Sequence, residues 1–481
     1  MESKSKIKSK IKTKINIIDI LIMYIIANPI LDILSFIFRN QLETTYSLTT
    51  ILRPIIPILI FIYIFFKKTT KKEKKYILLG GIIYATYAVI HILIYKNIIT
   101  GSSFGGVTKE LQYLVKYSFM ILTLYIFIRV IDNKQKVNQV QKAVAISSFI
   151  MITSIYIAII TGTSSTTYIE GIGHKGWFES GNSVGAILLI SMCISLPIIK
   201  IRKNLKKKDM AWNLFVSINI LITSIYLIKI IGTRTGTFGC ILVIGIYIIM
   251  QMILNKVSKK VISGICITGI IGVVVIISGS AMSKRQELLA QFEQNNNKEN
   301  KQKVYVTGSI FKLREEILNK TMSKEYMSDI QQNSIIAFCN KAEKLNINST
   351  DQRMQALIYN IELVKEQKNI LTIFLGNGFN ANFCELVLEM ECIAILLNFG
   401  IIGFILFVIP YLVIITKSVI IGIKNMKKLD IEYIMNIAGL SLTIGLAVMS
   451  GYIFINISIT TLLGIMSVVA SIKNKELKGL N

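Results

Sequence analysis

An arginine at the start of an apolar helix, flanked by hydroxyls and glycines, is a combination that can hold an anion. The segment Gly232-Thr233-Arg234-Thr235-Gly236-Thr237 has that makeup. A helix N-terminus offers free backbone N–H groups and the positive end of the helix dipole. A guanidinium adds a planar fork of donors that matches phosphate oxygens. The plainer reading of Arg234 is an anchor whose side chain reaches the lipid headgroups. A second cluster, Gly171-Ile172-Gly173-His174-Lys175-Gly176-Trp177-Phe178-Glu179-Ser180-Gly181-Asn182, precedes another apolar block. Its glycines let backbone approach a ligand closely. His174, Lys175 and Asn182 supply polar groups, and Trp177 can stack on a sugar ring. The competing reading is an interfacial Trp with ordinary turn glycines.

Two further segments carry polar groups. Leu375-Gly376-Asn377-Gly378-Phe379-Asn380 contains a lone Gly-x-Gly. No strand precedes it, so it is not a dinucleotide fingerprint. Glu385, Glu389 and Glu391 follow at the edge of an apolar block. A carboxylate there either serves as general base on a hydroxyl or simply favours a helix N-terminus. Asp19, Asp32 and His91 fall inside apolar blocks, where structural hydrogen bonding is the reading preferred over a proton relay.

Other chemistries find no residues to carry them. The two histidines, His91 and His174, exclude a multi-histidine metal site, and no Cys pair has zinc spacing. No metal and no cofactor are expected. No Asp-x-Asp pair, Walker A sequence or Ser/His/Asp set is recognisable. Among the six cysteines only Cys339 and Cys384 share a long polar stretch, leaving room for one disulfide.

The elements that position these groups follow from composition. The chain has 481 residues, 53 % apolar and 17 % charged, against about a quarter charged for soluble proteins. The apolar residues lie in about twelve blocks of membrane-spanning length: 15–38, 47–66, 76–95, 111–131, 141–161, 181–199, 211–231, 234–254, 261–280, 386–416, 433–453 and 456–472. The run after Lys4–Lys14 is too long for a signal peptide and is read as a retained first span. The net charge of +27 is distributed unevenly. One set of connections, including both tails, holds most of the Lys and Arg. The short loops of the other set hold only Arg39, Lys96, Lys109, Lys175 and Arg234. The positive-inside rule therefore puts both termini in the cytoplasm. The positive excess is accounted for by topology, and no nucleic acid is expected. Residues 281–385 then form one large extracytoplasmic loop between a unit of spans over 1–280 and another over 386–481. Its stretch from Gln294 to Lys303 is Asn/Lys-rich and reads as mobile. Helical stripes run through 308–328 and 349–366, the latter opening on Ser349 and Gln352 as a capping box, with Arg353 in its first turn.

Four segments together bring a family into view. The chain resembles the O-antigen ligase and polysaccharide polymerase family of bacterial membrane glycosyltransferases. The likeness rests, in order, on Gly173–Phe178 with Gly181-Asn182, and on Thr233-Arg234-Thr235-Gly236. It continues in Ser349-Thr350-Asp351-Gln352-Arg353 leading to Leu375–Phe379, and in Glu389-Met390-Glu391 with Asn398-Phe399-Gly400-Ile401-Ile402-Gly403-Phe404. It covers about residues 170–415; the first third matches in topology alone. The resemblance implies an all-α, GT-C-like polytopic fold in the cell membrane. It implies a donor carried on undecaprenyl pyrophosphate, with membrane lipids and a glycan acceptor as the other partners. Arg234 and Arg353 are then the diphosphate-holding pair, and His174, Lys175, Trp177, Asn182, Gly376 and Gly378 line the substrate. The family's His after Gly-x-Gly is missing here, where Asn380, Asn382 and Glu385 stand, and its Asp is replaced by Glu391. Glu389 or Glu391 becomes the expected base. A flippase of lipid-linked sugars and a non-catalytic membrane binding protein are the alternatives; the first requires ionisable residues deep in the spans.

Overall fold

The computed structural model describes residues 16–42, 48–98, 106–168, 171–200, 205–255, 279–298, 311–321, 327–345, 347, 352–379 and 388–479. Five helices come first: α1 Ile17–Leu42, α2 Leu48–Lys67, α3 Lys71–Ile98, α4 Gly106–Val130 and α5 Lys134–Ile160. A small antiparallel hairpin, β1 Ser165–Thr166 with β2 His174–Gly176, leads into α6 Gly181–Ser195. Then come α7 Lys207–Ile225, extended by a π-helical turn over Tyr226–Ile230, and α8 Arg234–Leu254. Four helices without a bilayer-length apolar face follow: α9 Ala281–Lys298, α10 Phe311–Leu318, α11 Asp329–Lys344 and α12 Gln352–Glu366. The chain ends with α13 Ile370–Leu375, α14 Glu391–Asn398, α15 Gly400–Phe407, α16 Ile409–Lys424, α17 Ile431–Met449 and α18 Ile457–Leu477.

The protein is an all-α polytopic membrane protein. Among the described residues nine helices are long and apolar enough to cross a bilayer, and α15 with α16 adds a tenth crossing if that bent pair is one span. The expected block 261–280 lies almost wholly outside the described residues, as do Ser349, Asn380, Asn382 and Glu385. Helices α6 and α18 are buried along most of their length and occupy the centre of the bundle. Helix α18 packs on α4, α16, α17 and α6. Helix α3 lies at the periphery, with Leu78, Ile82, Ile83, Val89 and Leu93 exposed where lipid would cover them.

The block expected as a single span over 386–416 is interrupted twice. Gly400 takes φ +69, which L side chains rarely adopt. Pro410 sits in the first turn of α16, and the two helices meet at a bend of 46°. The first break gives the Gly-x-Gly its place. The amide of Asn377 donates to the Leu397 carbonyl (3.0 Å) and that of Gly378 to Asn398 (2.8 Å), so one segment satisfies the orphan carbonyls at the end of α14. A Cβ on Gly376 would lie 2.2 Å from the Asn398 backbone, and one on Gly378 would lie 2.3 Å from the Tyr95 ring. His91 braces the same strip, bonding the Leu375 carbonyl at 2.6 Å and Glu110 at 2.9 Å, while Glu110 accepts the Phe379 amide at 3.0 Å. Asp32 is paired with Arg53 at 2.5 Å. His91, Glu110, Asp32 and Arg53 thus find their partners within the bundle.

The polar stretch is more helical than its composition announces. Helix α9 covers the start of the Asn/Lys-rich part. A capping box of Ser328 and Gln331 starts α11, which packs on α12. Cys339 is a buried free thiol on α11, and Cys384 lies outside the described residues. Glu362 on α12 receives Lys341 at 2.8 Å and Lys365 at 2.9 Å. Burial pushes its carboxyl up, but the two ammonium groups outweigh that and hold it below the usual carboxylate range. A depressed acid stabilises the docked pair above its unfolded pKa, and this contribution is lost as pH falls through the folded value. The protection factors of the α11 and α12 amides are therefore expected to fall below about pH 4, before those of the spans. In Glu362→Gln the acid dependence should vanish; if the variant keeps the wild-type profile, this account of the α11–α12 contact is wrong.

Candidate functional site

At one end of the bundle the hairpin, the starts of α6, α8, α9 and α14, helix α12 and the connection 450–456 converge. Helix α8 begins there because Thr233 caps it, its hydroxyl accepting the Gly236 amide at 3.2 Å. The capped turn places Arg234 at the first helical position, exposed, with no hydrogen bond or ion pair to any described residue. The preceding Gly232 has φ +80, and a Cβ there would meet Ala281 at 3.3 Å and the Tyr168 ring at 3.4 Å. This close approach brings the hairpin, the α8 turn and the start of α9 together.

Tyr168 lies at the centre of that contact. Its hydroxyl donates to the Gly232 carbonyl at 3.4 Å. The guanidinium of Arg285, on the second turn of α9, stacks 3.6 Å from the centre of the Tyr168 ring. The Nε of Arg285 is buried and has no partner among the described residues. Burial raises the Tyr168 phenol above its ordinary pKa; Arg285, Arg353 and Arg234 act against that and Glu389 with it. One phenol therefore feels three guanidiniums and one carboxylate that come from segments far apart in sequence.

Arg353, on the first turn of α12, faces Glu389. Its Nη2 and Nε lie 3.0 and 3.3 Å from the same carboxylate oxygen, and its Nη1 donates to the Met449 carbonyl at 3.0 Å. Both partners of the ion pair are solvent-accessible. Gly451 makes room for Glu389, since a Cβ there would sit 3.2 Å from the Glu389 backbone.

Glu391, two residues on, has a different environment. It is 2 % exposed. One oxygen accepts the amides of Ile453 (2.6 Å) and Phe454 (2.8 Å). The other accepts the Ile455 amide (3.1 Å) and the Tyr117 hydroxyl (2.8 Å). Three of the four bonds to that carboxylate fix the α17–α18 connection and the fourth ties it to α4, while Glu389 keeps an accessible edge.

The hairpin residues differ in how they are held. The Trp177 indole donates to Thr163 at 3.0 Å, closing the hairpin on itself. Lys175 donates to the Glu179 carbonyl at 2.9 Å, and burial holds its ammonium below the usual lysine range despite the attraction of Glu179. The Nδ1 of His174 is buried without a partner among the described residues, while its carbonyl accepts the Tyr226 hydroxyl at 2.9 Å. Asn182 is half-buried on the first turn of α6. Gly376 and Gly378 are set apart from this group, with their amides bonded to Thr372 and Asn398. Tyr168 and Arg285 are the participants that sequence reasoning missed. No group of three or more His, Cys, Asp or Glu that could hold a metal occurs among the described residues.

The split between the two carboxylates has a measurable consequence. Glu391→Gln leaves three backbone donors to share a single acceptor oxygen, a loss of about 1–3 kcal/mol, and should lower the melting temperature of the detergent-solubilised protein. Glu389→Gln should change stability by less than about 0.5 kcal/mol. Equal melting shifts for the two variants would show that this contrast has been misread.

The family model described as O-antigen ligase like membrane protein matches residues 14–474. No curated protein matches the chain.

Proposed function

The chain belongs to the O-antigen ligase like membrane protein family, and from that premise we propose that it transfers glycan from a lipid diphosphate carrier at the outer face of the cell membrane. Family membership itself supports a membrane glycosyltransferase-like role. The finer reading is that undecaprenyl pyrophosphate-linked oligosaccharide repeats are polymerised or ligated onto a glycan acceptor. The observation that supports it is the exposed Arg234 at the capped start of α8 together with Arg353 on the accessible carboxylate of Glu389.

In this reading the site-bearing end of the bundle faces outward and both termini are cytoplasmic. The isoprenoid tail lies along the spans, and the diphosphate meets Arg234 and the N-terminus of α8. Arg353 turns from Glu389 to the incoming phosphate, a stronger bidentate partner. Its departure frees the Glu389 carboxylate beside the donor. The acceptor hydroxyl gives its proton to Glu389 and attacks the anomeric carbon. The bond from that carbon to the diphosphate oxygen breaks, with its electron pair staying on the leaving group. The arginines stabilise the charge that appears there, and such preorganised stabilisation acts most strongly where water is excluded. Glu391 supports the reaction by holding the 450–456 connection. His174, Lys175, Trp177 and Asn182 border the sugars, while Gly376 and Gly378 hold the strip that closes the end of α14. The reading requires no metal and no other cofactor.

Arg234→Ala and Arg353→Ala test it in cells. Each is expected to reduce polymer or ligated product by at least about a hundredfold, the scale of losing one oxyanion-stabilising donor. Lipid-linked repeats should accumulate on the outer face. Normal product in both variants contradicts the reading, and repeats trapped on the inner face favour a flippase.

A further inference from the structure

Arg285 has no part in the two-arginine site just described, yet its placement is as specific as theirs. It stands on α9, in a stretch whose composition promises little order. Its guanidinium carbon is 3.6 Å from the centre of the Tyr168 ring. Stacking occupies the face of the guanidinium and leaves its N–H edge to point elsewhere. No carboxylate among the described residues pairs with it, and its Nε is buried without a partner. A cationic group oriented by an aromatic ring, with a buried Nε that no described residue engages, is arranged for an anion that no described residue provides.

We propose that Arg285 is a third guanidinium of the donor site and that it makes the site select a diphosphate over a monophosphate. The inference rests on the proposed donor chemistry and deepens it. Charge matching supplies the argument. Arg285 stacks on Tyr168, the Tyr168 hydroxyl meets the Gly232 carbonyl two residues before Arg234, and Arg353 pairs with Glu389; three guanidiniums and one carboxylate leave a net of two positive charges. A diphosphate esterified at both ends carries two negative charges and a phosphodiester carries one. As the glycosidic bond forms, the acceptor proton neutralises Glu389 and the site becomes one unit more positive. The released lipid diphosphate gains one negative charge in the same step. Without Arg285 the site falls one charge short at both stages, and a monophosphate would match it as well.

The test uses the full chain in nanodiscs, titrated with an undecaprenyl diphosphate-linked sugar and with an undecaprenyl monophosphate-linked sugar, whose phosphates carry the two charges and the one charge compared above. Wild type is expected to prefer the diphosphate. Arg285→Gln should weaken diphosphate binding about tenfold, the scale of one charge-assisted hydrogen bond, and monophosphate binding less than about twofold. Arg285→Lys keeps the charge without the planar fork and should recover part of the preference, which separates a ligand contact from a packing role. Unchanged diphosphate binding in Arg285→Gln, or an equal loss for both lipids, overturns the inference while leaving the donor site of Arg234 and Arg353 in place. Failure of the wild type to bind either lipid overturns the donor reading itself.

Discussion

Like charges held close together must be compensated. Two unit charges about 8 Å apart repel by about 2 kcal/mol at an effective dielectric of about 20. Arg234, Arg285 and Arg353 all act on the Tyr168 phenol, with Glu389 as the carboxylate among them. Such an arrangement is maintained by the parts that hold it: a capped helix start for Arg234, an aromatic face for Arg285, and Glu389 with the Met449 carbonyl for Arg353. In the proposed reading an arriving diphosphate supplies the charge that the described residues leave uncompensated. The fold then stores part of the binding energy as preorganisation rather than spending it on ordering loose side chains.

The remainder of this end of the bundle reads as support for that cluster. Glu391 ties three consecutive amides of the α17–α18 connection, next to Gly451 and therefore next to Glu389. The Gly376–Phe379 strip closes the broken end of α14 through backbone bonds and is itself pinned by His91 and Glu110. Two segments about 20 residues apart in the chain are thereby welded main chain to main chain, a contact that only glycine permits at these positions. Polar groups buried in a bilayer protein are costly unless satisfied. Here their satisfaction fixes the connections that carry the candidate site.

Much of the architecture is legible in the residues. Blocks of bilayer length, their termini and the capped start of α8 follow from hydropathy and from Thr233. The family is legible from four short segments in order. What the sequence conceals is partnership. Glu389 and Glu391 are the same residue type two positions apart, and nothing local shows that one faces solvent while the other is enclosed by amides from beyond residue 450. The Gly-x-Gly invites a ligand reading because its true neighbour, the Asn398–Gly400 break, lies in what reads as a continuous span. Helix α11 opens on a capping box of Ser328 and Gln331 but falls between the two helical stripes legible at 308–328 and 349–366, because its own short apolar stripe is diluted by polar residues. Arg285 had a signal of another kind. The chain builds nearly all its positive charge from Lys and has only eight Arg, at 39, 53, 129, 202, 234, 285, 314 and 353. Where Lys is the default, an Arg marks a position that uses planarity or a fork of donors.

The most direct measurement is a cryo-EM structure of the nanodisc-embedded chain with undecaprenyl diphosphate bound. The account requires phosphate density bounded by the side chains of Arg234, Arg285 and Arg353, with Arg353 withdrawn from Glu389. A diphosphate seated elsewhere, or guanidiniums that face away from it while the Arg353–Glu389 pair stays closed, would contradict the account at its root.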